Sequence, residues 1–255
     1  MIRSVLFDVG GTLVTGVRDE KRLSEYLDKM TETLRSAGIV LPDTKETVWE
    51  NVLDGAREYK QEALRTQREL PPEKIWSRYY LKAYGLTEDE IKPVAAALSD
   101  SYDGERMRHE TKPHMKETLE RLVSDGLAVG VISNMISTGF VPSILKRLGI
   151  DGMMRCVVVS AAVGVRKPSP EIFRIAAERT GIPMEETAYV GDTLSRDVLG
   201  ARNAGCALSV MIHDPSAERR DSGFTDPGLK PDHYIRDLSE IPGIIKAYND
   251  RARER

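Results

Sequence analysis

Five short apolar runs punctuate the chain: Ser4 to Phe7, Ala128 to Ile132, Cys156 to Val159, Ala188 to Val190 and Ala207 to Ile212. Each is rich in Val, Ile or Leu without polar alternation, which predicts strands covered on both faces, as in a parallel sheet. Between them, His114 to Ser124, Phe140 to Leu148, Pro170 to Arg179 and Leu194 to Ala204 carry helical periodicity. Strand and helix alternate, so the expected fold class is α/β, a doubly wound parallel sheet with helices on both faces.

The stretch from residue 17 to 109 breaks this rhythm. Arg22 to Ala37, Thr44 to Arg65, Pro72 to Tyr84 and Glu88 to Tyr102 read as amphipathic helices, separated by Gly38, Pro42, Pro71-Pro72 and Gly85. The expectation is a core domain of residues 1–16 and 110–255 interrupted by an all-helical insert, 17–109, entered directly from the first motif. Trp76, Tyr79, Tyr80 and Tyr84 fall at helical spacing and are expected to pack the core of that insert.

Composition narrows the function classes. A length of 255 residues allows one core plus an insertion, and 40% apolar and 30% charged residues with a net charge of −3 describe an ordinary globular protein. Lys and Arg are interleaved with Asp and Glu, so no basic face suggests nucleic acid. The apolar run at the start stops at Asp8, too short for a signal peptide or membrane span. Cys156 and Cys206 sit in apolar surroundings that read as strands, which fits buried free thiols in a reducing, cytoplasmic setting. A monomer or homodimer is expected.

Four segments carry candidate chemistry, each at the expected carboxyl end of a strand, where open α/β sheets place ligands. Phe7-Asp8-Val9-Gly10-Gly11-Thr12-Leu13 sets a carboxylate beside two glycines whose backbone can approach an anion. Val131-Ile132-Ser133-Asn134 offers a hydroxyl and an amide for phosphate oxygens. In Arg166-Lys167-Pro168-Ser169-Pro170, Lys167 stands just before a helix start as a fixed positive charge. Val190-Gly191-Asp192-Thr193-Leu194-Ser195-Arg196-Asp197 places two carboxylates at the mouth of a strand, a hard-oxygen donor set suited to Mg²⁺. Taken singly, each has a plainer reading as a turn, a helix cap or a solvated charge; in order and together they point to one site.

These segments resemble the motifs of the haloacid dehalogenase-like hydrolase superfamily, and the resemblance spans nearly the whole chain. It implies a Rossmann-like core with the helical insert as a cap. It also implies phosphohydrolase chemistry on a small phosphorylated metabolite, with Asp8 as the nucleophile that forms an aspartyl-phosphate. Ser133 and Lys167 would bind the transferring group and act in catalysis, with Asn134, Gly11 and Thr12 assisting. Mg²⁺ would be held by Asp8, Asp192 and the Gly10 carbonyl, and by Asp197 directly or through water.

The pattern departs at Gly10, where phosphatases of this superfamily usually carry a second aspartate that protonates the leaving group and activates water. Dehalogenases and phosphonatases also lack that aspartate, so both readings stay open, as does a binding protein that kept the pocket without turnover. Asp8 to Thr12 alone also matches the first phosphate motif of actin-like sugar kinases. That match stops after five residues, because the motif is expected to lead into helices. Arg18, Arg57 and Lys60 are candidate polar residues of the insert, with a solvated helix face as their plainer reading.

Overall fold

The computed structural model describes residues 1–254, with backbone alone for 218–220. Among the described residues eight strands form: β1 Ser4–Phe7, β2 Val14–Val17, β3 Arg108–Thr111, β4 Ala128–Ser133, β5 Met154–Val159, β6 Thr187–Gly191, β7 Leu208–Ile212 and β8 His233–Ile235. Six of them make one sheet in the order β5-β4-β1-β6-β7-β8. All neighbours in it are parallel, so every connection is a crossover and the sheet is doubly wound as its apolar runs predict.

The strands are apolar throughout because both faces are covered. In β1, Val5 and Phe7 join one buried cluster with Leu119, Val131, Val141 and Ile245. Leu6, on the opposite face, joins another with Ile132, Val158, Phe173 and Tyr189. Period-2 geometry thus survives inside a run that shows no polar alternation.

The helices Glu20–Ser36, Lys45–Thr66 and Glu88–Gly104 lie between β2 and β3. They pack around their own cluster, which holds Tyr26, Met30, Val52, Trp76, Tyr80 and Leu98. Trp76 and Tyr80 are buried there as expected, with ring centroids 4.9 Å apart, whereas Tyr79 and Tyr84 are only partly buried. The expected continuous helix from Pro72 to Tyr84 is broken into the turn Pro72–Ile75, a π-helical turn Trp76–Tyr80 and a 3₁₀ turn Lys82–Tyr84. The helix expected from Leu194 likewise begins as a π-helical turn, Leu194–Val198, before Leu199–Ala204.

Three other expectations need correction. The first motif does not lead straight into helices: β2 follows it and pairs antiparallel with β3, Val14 opposite Thr111 and Val17 opposite Arg108. Both passages of the chain into and out of the helices therefore run through one two-stranded ribbon, which does not join the main sheet. The strand β8 was not expected at all. Cys206 lies just before β7 rather than within a strand and is only partly buried; both cysteines are free of disulfides, and burial pushes the Cys206 thiol up to about 12. Among the described residues no helix is long and apolar enough to cross a membrane.

Candidate active site

Strand register brings the four segments to one edge. Phe7 pairs with Val131 on one side and Val190 on the other, and Ser133 pairs with Val159. Asp8, Ser133 and Asp192 consequently leave neighbouring strands at the same level. The Asp8 amide donates to the Val190 carbonyl at 2.8 Å, which carries the ladder one residue past the end of β1.

Lys167 arrives differently, after β5, the short helix Ser160–Val163 and a loop. Its ammonium is 2 % exposed and donates to Asp8 Oδ1, Asp197 Oδ1 and the Tyr189 hydroxyl, each at 2.7 Å. Three rigid acceptors saturate the three N–H bonds, so the charge is held at one point. Tyr189 was not among the expected site residues. A tyrosine in a fully buried strand needs a polar partner, and that requirement is the signal that could have found it.

Asp197 has both oxygens engaged. Oδ1 accepts from Lys167 and from Tyr189 (3.2 Å), and Oδ2 accepts from the Thr193 amide (3.1 Å) and hydroxyl. Burial opposes its charge, but Lys167, Arg196 and these hydrogen bonds hold its carboxyl down to about 2. These bonds make Asp197 an anchor for Lys167. Gly191 makes this approach feasible, because a Cβ there would lie 2.3 Å from the Asp197 Cβ. Gly191→Ala is expected to lower stability by about 1–3 kcal/mol through overpacking, read as a shifted urea midpoint at unchanged slope.

Asn134 also differs from expectation. Its carboxamide is not open to a phosphate: Nδ2 donates to the Lys167 carbonyl (3.0 Å) and Oδ1 accepts from the Lys167 amide (2.9 Å). Two bonds to one residue's main chain orient the lysine. By contrast, the Ser133 and Thr12 hydroxyls are buried and have no hydrogen-bond partner among the described residues. A buried hydroxyl left in that state costs free energy unless something completes it, and a phosphoryl oxygen would.

Asp8, Asp192 and Asp197 are buried and offer carboxylate oxygens within 4.8 Å of one another. This all-oxygen donor set fits Mg²⁺, a hard cation usually held by one or two carboxylates, waters and substrate oxygens. Gly11 has φ 100°, so the loop turns where only glycine is unstrained. Gly10 has no such constraint. A Cβ there would meet only Met135 Cε, at an ordinary 3.6 Å.

The chain matches the family model for haloacid dehalogenase-like hydrolases over residues 2–205. It belongs to the haloacid dehalogenase-like hydrolases. It is thus a hydrolase. Among these hydrolases it is similar to the glyceraldehyde 3-phosphate phosphatase of Methanopyrus kandleri, 31% identical over 96% of this chain and 98% of that protein. It is also similar to the phosphoglycolate phosphatase of Vibrio vulnificus, 29% identical over 96% of both chains. In fold it resembles the 2-haloacid dehalogenase of Pseudomonas syringae pv. Tomato DC3000, with a TM-score of 0.65 and 23% identity over 97% of this chain and all of that one.

A cleft of about 350 Å³ opens beside Asn134 and Met135, walled on the helical side by Tyr59, Tyr80, Tyr102 and Arg106. Arg57 and Lys60 also line it, although Arg57 pairs with Asp54. Arg18 pairs with Glu20 on the surface and is 78 % exposed, in line with its plainer reading as a solvated residue.

Proposed function

We propose that this hydrolase is a Mg²⁺-dependent phosphatase of small phosphorylated metabolites, working through an aspartyl-phosphate on Asp8. The observation that carries the reading is the buried Lys167 ammonium at 2.7 Å from Asp8 Oδ1, with the partnerless Ser133 hydroxyl and Asp192 at the same sheet edge. The names of the two phosphatases, acting on two- and three-carbon phosphates, support a substrate of that size. The helical segment 17–109 serves as the cap, and the cleft beneath it receives the organic part of the substrate. We place the protein in the cytoplasm as a monomer or homodimer.

In the first step an Asp8 oxygen attacks phosphorus and the bond to the ester oxygen breaks, leaving the phosphoryl group on Asp8. In the second, water attacks that phosphorus, Asp8 is released and inorganic phosphate departs. Lys167 and the Ser133 hydroxyl hold the phosphoryl oxygens, and Gly11 and Thr12 shape the loop around them. Asp197 and Tyr189 keep the Lys167 ammonium in place, and Asn134 fixes its main chain. Asp8, Asp192 and the Gly10 carbonyl would hold Mg²⁺, with Asp197 contributing through water. When bound, the cation neutralises charge on the phosphoryl oxygens, so that one anion can approach another.

No side chain at position 10 can give the leaving oxygen its proton. Esters with good leaving groups, such as acyl and aryl phosphates, should therefore turn over faster than sugar phosphates. Because Gly10 has room for a side chain, Gly10→Asp should fold normally and raise kcat on poor leaving groups by about 10²-fold, the lower end for a positioned acid. An equal gain on aryl phosphates would mean that another group already protonates the leaving oxygen.

The overall test is phosphate release with Mg²⁺ from a panel of two- to six-carbon phosphate esters. Acid quenching should trap one phosphoryl group on the peptide containing Asp8. Absence of release from every ester would refute the reading.

A further inference from the structure

A carboxylate of the helical insert is buried against the segment that carries Lys167. Glu69 has a fully buried side chain whose two oxygens bond one partner in the insert and two in the core. Oε1 accepts from the Tyr59 hydroxyl, and Oε2 accepts from the Arg166 guanidinium and from the Ser160 hydroxyl (2.5 Å). Around it the backbone of 67–69 pairs with that of 164–166: the Glu69 amide donates to Gly164 (3.0 Å) and the Arg166 amide to Gln67 (3.0 Å).

Both bonds to Oε2 end one step from the candidate site. Arg166 precedes Lys167. Ser160 accepts from the Met135 amide at 2.9 Å, and Met135 follows Asn134. Asn134 in turn bonds both main-chain groups of Lys167. The contacts form a closed ring running Glu69, Arg166, Lys167, Asn134, Met135, Ser160 and back to Glu69, in which Glu69 is the member supplied by the insert. A buried ion pair is a costly way to hold two surfaces together unless its geometry does something a hydrophobic contact could not. Here it ties the seat of the insert to the two loops that present the lysine and its orienting amide.

We propose that Glu69 is a positioning residue that aligns Lys167 and Asn134 when the helical insert is seated on the core. Its catalytic consequence rests on the phosphohydrolase reading above; its structural consequence does not. With the insert unseated, Arg166 and Ser160 lose their shared acceptor and the ring opens beside Lys167. With it seated, the lysine is delivered to Asp8 in one orientation.

The test uses full-length Glu69→Gln and Ser160→Ala, with amide hydrogen exchange and steady-state kinetics read on the same samples. Glu69→Gln is expected to speed exchange of the Arg166, Lys167 and Met135 amides by roughly 10- to 100-fold, the scale of a hydrogen bond lost from a charged group, while β1 and β6 stay protected. Ser160→Ala removes one hydroxyl and should speed exchange at Met135 but not at Arg166. In the phosphatase assay Glu69→Gln should lower kcat by a similar factor and change KM less.

Faster exchange confined to Glu69 and Leu70, with Lys167 and Met135 unchanged, would overturn the proposal. So would an unchanged kcat in Glu69→Gln beside an active native chain, an outcome that leaves the phosphatase reading standing. If the native chain releases no phosphate, that reading fails and the exchange result still decides the role of Glu69. Should Glu69→Gln not fold, Arg166→Gln decides it instead: faster exchange at Met135, which Arg166 reaches only through Glu69 and Ser160 or through Lys167 and Asn134, supports the ring, and an unchanged Met135 overturns it.

Discussion

Asp8→Asn is expected to abolish phosphate release, by about 10⁶-fold in kcat, the scale seen when a covalent nucleophile is removed. The substitution is nearly isosteric and keeps an oxygen that can still accept from Lys167, so the fold and the seat of the insert should survive. What disappears is the carboxylate proposed to attack phosphorus. Asn cannot form the acyl phosphate. The measurement is phosphate release at saturating ester, paired with thermal melts showing that the variant unfolds within a few degrees of the native chain. Residual release above about one part in 10³ with a folded variant would place the nucleophile elsewhere or point to direct attack by water.

How much of this site could be read from residues alone depends on what kind of information each part needs. Asp8, Ser133 and Asp192 were legible because a buried parallel strand is an unbroken apolar run, and the first polar residue after it must lie at the sheet edge. The ribbon β2–β3 was not legible, since Val14–Val17 and Arg108–Thr111 hold four residues each, the second of them polar throughout, and their pairing spans the whole insert. Glu69 illustrates the same limit more sharply. It lies 97 residues before its partner Arg166, and nothing local separates it from the solvated glutamates of the neighbouring helix. Asn134 was found as a residue but not as a role, because residue type states which bonds a side chain can make and only the fold states which it does make.

The expected result for Lys167→Met is a double loss. Removing the ammonium leaves the Asp8 and Asp197 carboxylates, both buried, without the cation that bonds each of them at 2.7 Å. Breaking a buried pair from one side costs about 3–5 kcal/mol because the abandoned charge stays out of water. Turnover should fall by about 10³- to 10⁵-fold, comparable to loss of a cationic group that stabilises a transferring phosphoryl group. Acid titration gives an independent check with a defined sign. The Asp197 carboxyl lies at about 2 in the folded chain against an ordinary 3.8, so the stability it contributes is present above 3.8 and is lost as pH falls through about 2. In Lys167→Met the largest cause of that depression is gone, while Arg196 and the Thr193 hydrogen bonds still act against burial, so the carboxyl rises from its native position. Stability measured by urea denaturation should then fall less steeply than in the native chain as pH drops from about 3.8 to about 2. The double variant Lys167→Met with Asp197→Asn separates the two losses. It should recover much of the stability, since one buried charge has been removed, while turnover stays as low as in the single variant. Recovery of turnover together with stability would mean that Lys167 serves only to neutralise its neighbours and has no part in holding the phosphoryl group.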